Sequence, residues 1–213
     1  MSLKIVFMGT PEFSIPTLKI LQKSKHKIVC VYTQPPKKKS RGQKLLKTAV
    51  HIFSENEGIN VKTNQLSDKK EYEDFISLNA DLVVVIAYGQ IIPDIYLNNP
   101  NLIFLNVHAS LLPKWRGAAP IERALLNKEN ETGISIMKII KKLDAGPFIK
   151  QVKVKIHKET TSGELIKKLS VIGAEALKDS IELISSGKAI FKEQNEKEAT
   201  YAKKINKIET RIN

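Results

Sequence analysis

Asn106 and His108 stand two residues apart at the end of the apolar run LIFL (102–105). In a strand, residues i and i+2 point to one face, so an amide and an imidazole placed this way converge on one reacting atom. An Asn carboxamide donates a hydrogen bond without charge, and a His near neutral pH donates to a developing oxyanion or exchanges a proton. The pair therefore suits a reaction that passes through a tetrahedral oxyanion. A second reading stays open at this point, in which both side chains cap the sheet end by bonding loop backbone. The segment that follows, SLLPKWRGAAP (110–120), is apolar, stiffened by Pro113 and Pro120 and opened by Gly117. That is the composition of a pocket wall rather than a solvated turn. Within it Trp115 fits core or site, and Arg116 fits a plain surface charge or a functional one. Asp144, in KKLDAGP, is either a turn residue or a carboxylate that orients an imidazole and accepts a proton through water. His26, His51 and His157 lack comparable neighbours, so no metal triad is expected.

Such side chains need a scaffold that brings strand ends together. Short β-branched runs alternate with longer amphipathic stretches along the chain, the pattern of a parallel sheet with crossover helices. Strands are expected at 3–9, 26–33, 59–63, 81–88, 102–108, 132–139 and 148–156, and helices at 14–22, 44–56, 69–78, 118–126 and 161–187. In the last helix Thr161 and Glu164 form a capping-box pattern, and Leu165, Leu169, Ile172, Ala176 and Leu183 recur at helical spacing. The fold class is α/β, a Rossmann-like open, mostly parallel sheet with helices on both faces, whose ligand crevice lies at the carboxyl ends of the strands. The first turn, GTPEFSIP, lacks the dinucleotide fingerprint, because the glycine after Gly9 is Gly42 and the second strand ends in Tyr32, Thr33 and Gln34 without an acidic residue. NAD or FAD binding is not expected, and Gly9, Pro11 and Ser14 serve either as the turn and helix start or as ligand contacts.

The 213 residues suit one moderate domain, with 42% hydrophobic and 27% charged residues placing the chain in the soluble globular range. No apolar run approaches a bilayer span, and MSLKIVFMG enters a strand without the features of a secretory signal, so a cytoplasmic location is expected. A lone Cys30 inside KIVCVYT excludes an internal disulfide and fits a small buried side chain. The net charge of +13 favours a polyanionic partner, although lysine-rich surfaces also occur on proteins that bind no nucleic acid.

GTPEF, AYGQIIP, NVHASLLPKWRGAAPIERAL and ETGISIMKIIKKLDAGP, in this order and spacing, resemble the methionyl-tRNA formyltransferases, a branch of the folate-dependent formyltransferases. The similarity runs from about Leu3 to the end of the chain. The resemblance implies transfer of a formyl group from 10-formyltetrahydrofolate to methionine carried by charged initiator tRNA, with no metal and no membrane partner. By resemblance Asn106, His108 and Asp144 are the catalytic set, and Ser110, Leu111, Leu112 and Pro113 match the tetrahydrofolate-binding stretch. The pterin is expected beside Ile86, Ala87, Tyr88, Gly89, Gln90, Ile91 and the Asp144 loop. Lys37, Lys38, Lys39, Arg41 and Lys44 map onto a loop that approaches the tRNA acceptor arm, although PPKKKSRG departs from the more acidic, proline-spaced form of that loop. The family also carries a C-terminal β-barrel domain that helps bind tRNA. Residues 1–190 are accordingly expected to form the catalytic domain, and 191–213 a linker toward a barrel absent from this chain, with the protein a monomer. Two other functions are weighed: a folate-dependent amino-sugar N-formyltransferase using the same triad, and a non-catalytic RNA-binding domain of the same fold.

Overall fold

In a computed structural model, which describes residues 1–39, 44–206 and 208–209, the chain folds around a seven-stranded sheet. Its strands are β1 (Lys4–Gly9), β2 (Lys27–Tyr32), β5 (Val61–Lys62), β6 (Leu82–Ile86), β7 (Ile103–His108), β9 (Glu131–Lys138) and β10 (Phe148–Lys155). Two further pairs lie outside it: β3 (Lys37–Lys39) with β4 (Lys44–Leu46), and β8 (Arg116–Gly117) with β11 (Tyr201–Ala202). The helices are α1 (Ile15–Gln22), α2 (Ala49–Asn56), α3 (Lys69–Ser77), α4 (Asp94–Leu97), α5 (Pro120–Leu126) and α6 (Ser162–Ser185). The sheet order is β10-β9-β7-β6-β1-β2-β5, parallel from β7 through β5 and antiparallel at β9 and β10. The expected α/β class and mostly parallel sheet are what the chain adopts.

Period-two alternation sorts the strands into two cores. Ile5, Phe7, Val84, Ile86, Leu105 and Val107 point to one face and pack with Leu165, Leu169, Leu177 and Ile181 of α6. Val6, Met8, Val83, Val85 and Phe104 point to the other and pack with Phe75 and Tyr96 of α3 and α4. Each buried Leu or Ile contributes about 1.5–3 kcal/mol. On β7 the same alternation carries Asn106 and His108 to the face of Phe104, beyond the apolar core. Helix α6 braces the opposite face: a Cβ added to Gly173 would lie 2.8 Å from Val107, so the helix runs directly behind the strand that bears both polar residues. Its first turn carries the expected capping box, with Thr161 Oγ1 accepting from the Glu164 N–H and Glu164 accepting from the Thr161 N–H, worth about 1 kcal/mol. Among the apolar positions read from its spacing, Leu183 is the most exposed, at 37%. Cys30 is fully buried, and burial pushes its thiol up to about 12.

One expectation is corrected. The helix expected from Lys44 begins at Ala49, after Thr48, whose Oγ1 accepts from the His51 N–H; Lys44–Leu46 instead pairs with Lys37–Lys39 as a hairpin. The strand before Asp144 is not parallel to its neighbour: His108 lies opposite Ser135 and Leu105 opposite Lys138, so β9 leads away from the end of β7. Residues 192–202, within the 191–213 segment, are packed on the domain through Lys192–Phe148 backbone bonds and the β11–β8 pair, with Ala202 at 1% exposure. No described helix is long and apolar enough to cross a membrane.

Candidate active site

His108 closes β7 with 6% exposure, and its Nε2 lies 2.9 Å from the Trp115 carbonyl oxygen. A carbonyl only accepts, so Nε2 carries a proton. Nδ1 faces Asp144 Oδ2 at 3.8 Å, an ion-pair distance beyond hydrogen-bond length. The same Oδ2 accepts from the Gly117 N–H at 2.8 Å. A doubly protonated imidazole here has a carbonyl at one nitrogen and a carboxylate at the other. Asn106 is half-buried on the same face, and its carboxamide takes no hydrogen bond from the described residues. The capping reading therefore holds in part for His108 and not for Asn106. Because β9 descends away from His108, the 139–147 loop doubles back to deliver Asp144, which sits in left-handed backbone at φ 45°. Gly146 permits the return, since an added Cβ would run into the Lys138 carbonyl oxygen.

The loop after β7 is held from below. Ser135 Oγ donates to the Ser110 carbonyl and accepts from the Leu112 N–H, while Gln151 Nε2 donates to the Leu112 carbonyl. Ser110 Oγ donates to the Lys114 carbonyl. Ser110 and Leu112 are thus buried and internally satisfied, leaving Leu111 and Pro113 half-buried as the open part of that stretch. Trp115 is half-buried in left-handed backbone at φ 61°. Arg116 is no surface charge: it is fully buried, donating from Nε and Nη2 to Gln194 Oε1 and from Nη1 and Nη2 to the Glu196 carboxylate. The Arg116 guanidinium, with Lys142, holds the Glu196 carboxyl down at about 2 against an ordinary 4.5. Glu196 therefore contributes its full stabilisation above pH 4.5 and loses it as pH falls toward 2. In E196Q the thermal midpoint is expected to fall less between about pH 5 and pH 2 than in the parent; equal falls in thermal melts would contradict this. Ser135, Gln151, Gln194 and Glu196 carry no chemical signal in the sequence, being polar residues within an amphipathic strand or a charged stretch.

The loop after β6 forms the other wall. Ser14 Oγ donates to the Ile86 carbonyl rather than capping α1, and Thr10 Oγ1 and Gln34 Nε2 both donate to the Tyr88 carbonyl. Thr10 and Ser14 thus tie the first turn to the loop in which Ala87 and Gly89 stand at φ 46° and 82°. Ile86 and Tyr88 turn their side chains into the core, so only Ala87, Gly89 and Ile91 of the expected 86–91 stretch are exposed and Gln90 half so. Lys141 Nζ reaches Asp94 Oδ2 at 2.7 Å, joining the two loops across β7, and Ile91 and Leu143 leave apolar side chains exposed on either side. Lys37 and Lys38 are exposed on the β3–β4 hairpin beside exposed Leu45 and Leu46. Arg41, and the side chains of Lys39 and Lys44, lie outside the described residues. His26 and His51 serve locally, His26 Nδ1 accepting from the Leu3 N–H and His51 lying 3.2 Å from Glu55.

A sequence model described as formyl transferase matches residues 3–181. The methionyl-tRNA formyltransferase of Pelagibacter ubique is 50% identical over 214 residues, covering 100% of this chain and 69% of its own length. That of Coxiella burnetii is 47% identical over 214 residues, with 100% and 68% covered. The crystal structure of the N-formyltransferase of Helicobacter canadensis, in complex with folinic acid and dTDP-3-aminofucose, superposes with a TM-score of 0.73 at 20% identity. That superposition covers 98% of this chain and 72% of the other, a likeness of fold.

Proposed function

This chain belongs to the methionyl-tRNA formyltransferase family, and from that membership we propose that Asn106, His108 and Asp144 carry its reaction. It transfers a formyl group from 10-formyltetrahydrofolate to the α-amino group of methionyl-tRNA, a step of translation initiation. The observation that carries the residue assignment is His108 held between the Trp115 carbonyl and the Asp144 carboxylate, on the strand face that also bears an Asn106 carboxamide without a hydrogen bond among the described residues.

The folate supplies a formyl group already activated on its N10 nitrogen. The protein's work is then orientation, charge stabilisation and proton placement. An α-amino group of pKa about 7.7–8.0 has a substantial neutral fraction near neutral pH, so the nucleophile needs little activation. Asn106 donates to the formyl oxygen as negative charge grows on it, and an imidazolium at His108 adds to that stabilisation. Asp144 holds the imidazolium and, through water, accepts the proton that the amine sheds; His108 protonates the departing folate nitrogen. The rim suits such a donor: Ile91 and Leu143 offer apolar contact for a flat ring system, and exposed Ala87 and Gly89 leave backbone approachable between them. Leu111 and Pro113 complete that wall. The hairpin bearing Lys37 and Lys38 contacts tRNA phosphates, with Lys39, Arg41 and Lys44 assigned to the same role from the sequence. The same reading makes the chain a cytoplasmic monomer.

The test is formylation of charged initiator tRNA by the purified chain with 10-formyltetrahydrofolate, beside a dTDP-amino sugar as the competing acceptor. Formyl-methionyl-tRNA as the product supports the reading; formylated sugar with no formylated tRNA overturns it.

A further inference from the structure

Resting on that reading of the site, we propose that Gln194, through Arg116, is a positioning residue that fixes the Asp144 carboxylate against His108. Gln194 Nε2 donates to the carbonyls of Asp144, at 2.9 Å, and Gly146, at 2.7 Å. Its Oε1 accepts from Arg116 Nη2 at 2.8 Å and Nε at 3.0 Å. Arg can only donate and the carbonyls can only accept, so these four partners define which end of the amide is which, and they leave it no spare bond.

The contacts close a ring. Three consecutive residues receive the site: the Trp115 carbonyl takes His108, the Gly117 N–H binds the Asp144 carboxylate, and the Arg116 side chain between them binds Gln194. Gln194 then returns to the backbone of Asp144, so this residue is gripped at its carboxylate and at its carbonyl by the same short strand. Such a grip is needed. Asp144 is a non-glycine residue at φ 45°, a conformation that persists only when its surroundings over-determine it. Its preceding strand leads away from His108. The Arg116 end is equally constrained: its buried charge is matched by Glu196, and its own N–H donates to the Thr200 carbonyl. The segment 192–202 is therefore the back wall of the catalytic site rather than a tail leaving it.

The experiment is a double-variant cycle with Q194E and D144N, read as steady-state formylation of charged tRNA, with thermal midpoints alongside. Q194E retains the volume and the oxygen that Arg116 binds, and replaces both N–H donors by an oxygen that repels the Asp144 and Gly146 carbonyls. It is expected to lower kcat about 10–100-fold, as an ångström-scale misplacement does, with KM for either substrate changed less than about twofold. In the D144N background the same substitution is expected to cost less than about twofold, because its only route of action is already gone. A parent-like kcat for Q194E, a loss confined to KM, or an equal loss in the D144N background overturns the positioning role while leaving the reaction standing. A parent that formylates no tRNA overturns the reaction assignment, and the inference falls with it. Should Q194E fail to fold, Q194N, one methylene too short to span Arg116 and the loop, enters the same cycle. The 15N resonances of the His108 imidazole in Q194N then give a readout independent of turnover: an unchanged spectrum, with kcat unchanged, overturns the proposal.

Discussion

H108A is expected to lower kcat for formyl transfer about 10²–10⁴-fold, the range in which a positioned general acid contributes. The loss should persist at saturating folate and saturating tRNA, because the imidazole acts on charge and protons that appear only in the transition state. The fold should survive. His108 is a 6% exposed side chain whose one close bond among the described residues is to a loop carbonyl, and Val107 beside it keeps its contact with α6. Losing that hydrogen bond costs about 1 kcal/mol, which a modest fall in thermal midpoint would report. Single-turnover formylation with enzyme in excess is the check. A rate within a few-fold of the parent would remove His108 from the chemistry and leave it as a cap on the sheet end.

D144N is the second large effect, about 10²–10⁴-fold in kcat, the upper end set by the comparable loss when a buried carboxylate that orients a catalytic histidine becomes an amide. The substitution is nearly isosteric, and the amide oxygen can still accept the Gly117 N–H that Asp144 Oδ2 accepts at 2.8 Å. What disappears is the negative charge 3.8 Å from His108 Nδ1. An imidazolium then loses its counter-charge while a neutral imidazole does not, so the penalty falls on the protonated form that stabilises the oxyanion. Because the two residues act as one unit, the H108A/D144N double variant should be about as slow as the slower single variant. Multiplicative losses in stopped-flow or quench measurements would show that they contribute independently.

Much of this site was legible in the sequence because its central element obeys a local rule. The run 102–108 alternates with period two, so Phe104, Asn106 and His108 had to share a face once Leu105 and Val107 were buried, and the structure places them so. The Ser110-to-Pro120 composition signalled a shaped wall for the same reason: prolines and an opening glycine constrain the backbone whatever surrounds it. Where local pattern was ambiguous the reading failed. Lys44–Leu46 has the mixed polar and apolar order of a helix turn but pairs with Lys37–Lys39, since strand pairing is decided by the partner and not by the segment. For Arg116 the sequence left a surface charge and a functional one open; its partners Gln194 and Glu196 arrive from 78 and 80 residues away.

Sequence alone determined the class of fold, the two buried faces of the sheet and the residues proposed for the chemistry, because burial patterns and side-chain functional groups are properties of short stretches. Only the tertiary structure decided that β9 runs antiparallel, that the Asp144 loop must double back, and that residues 192–202 pack against that loop and β8. Hydrogen bonds among buried polar groups have no periodicity to betray them. They exist only once packing has excluded water and left each donor a single acceptor, and that condition is met in the folded chain alone.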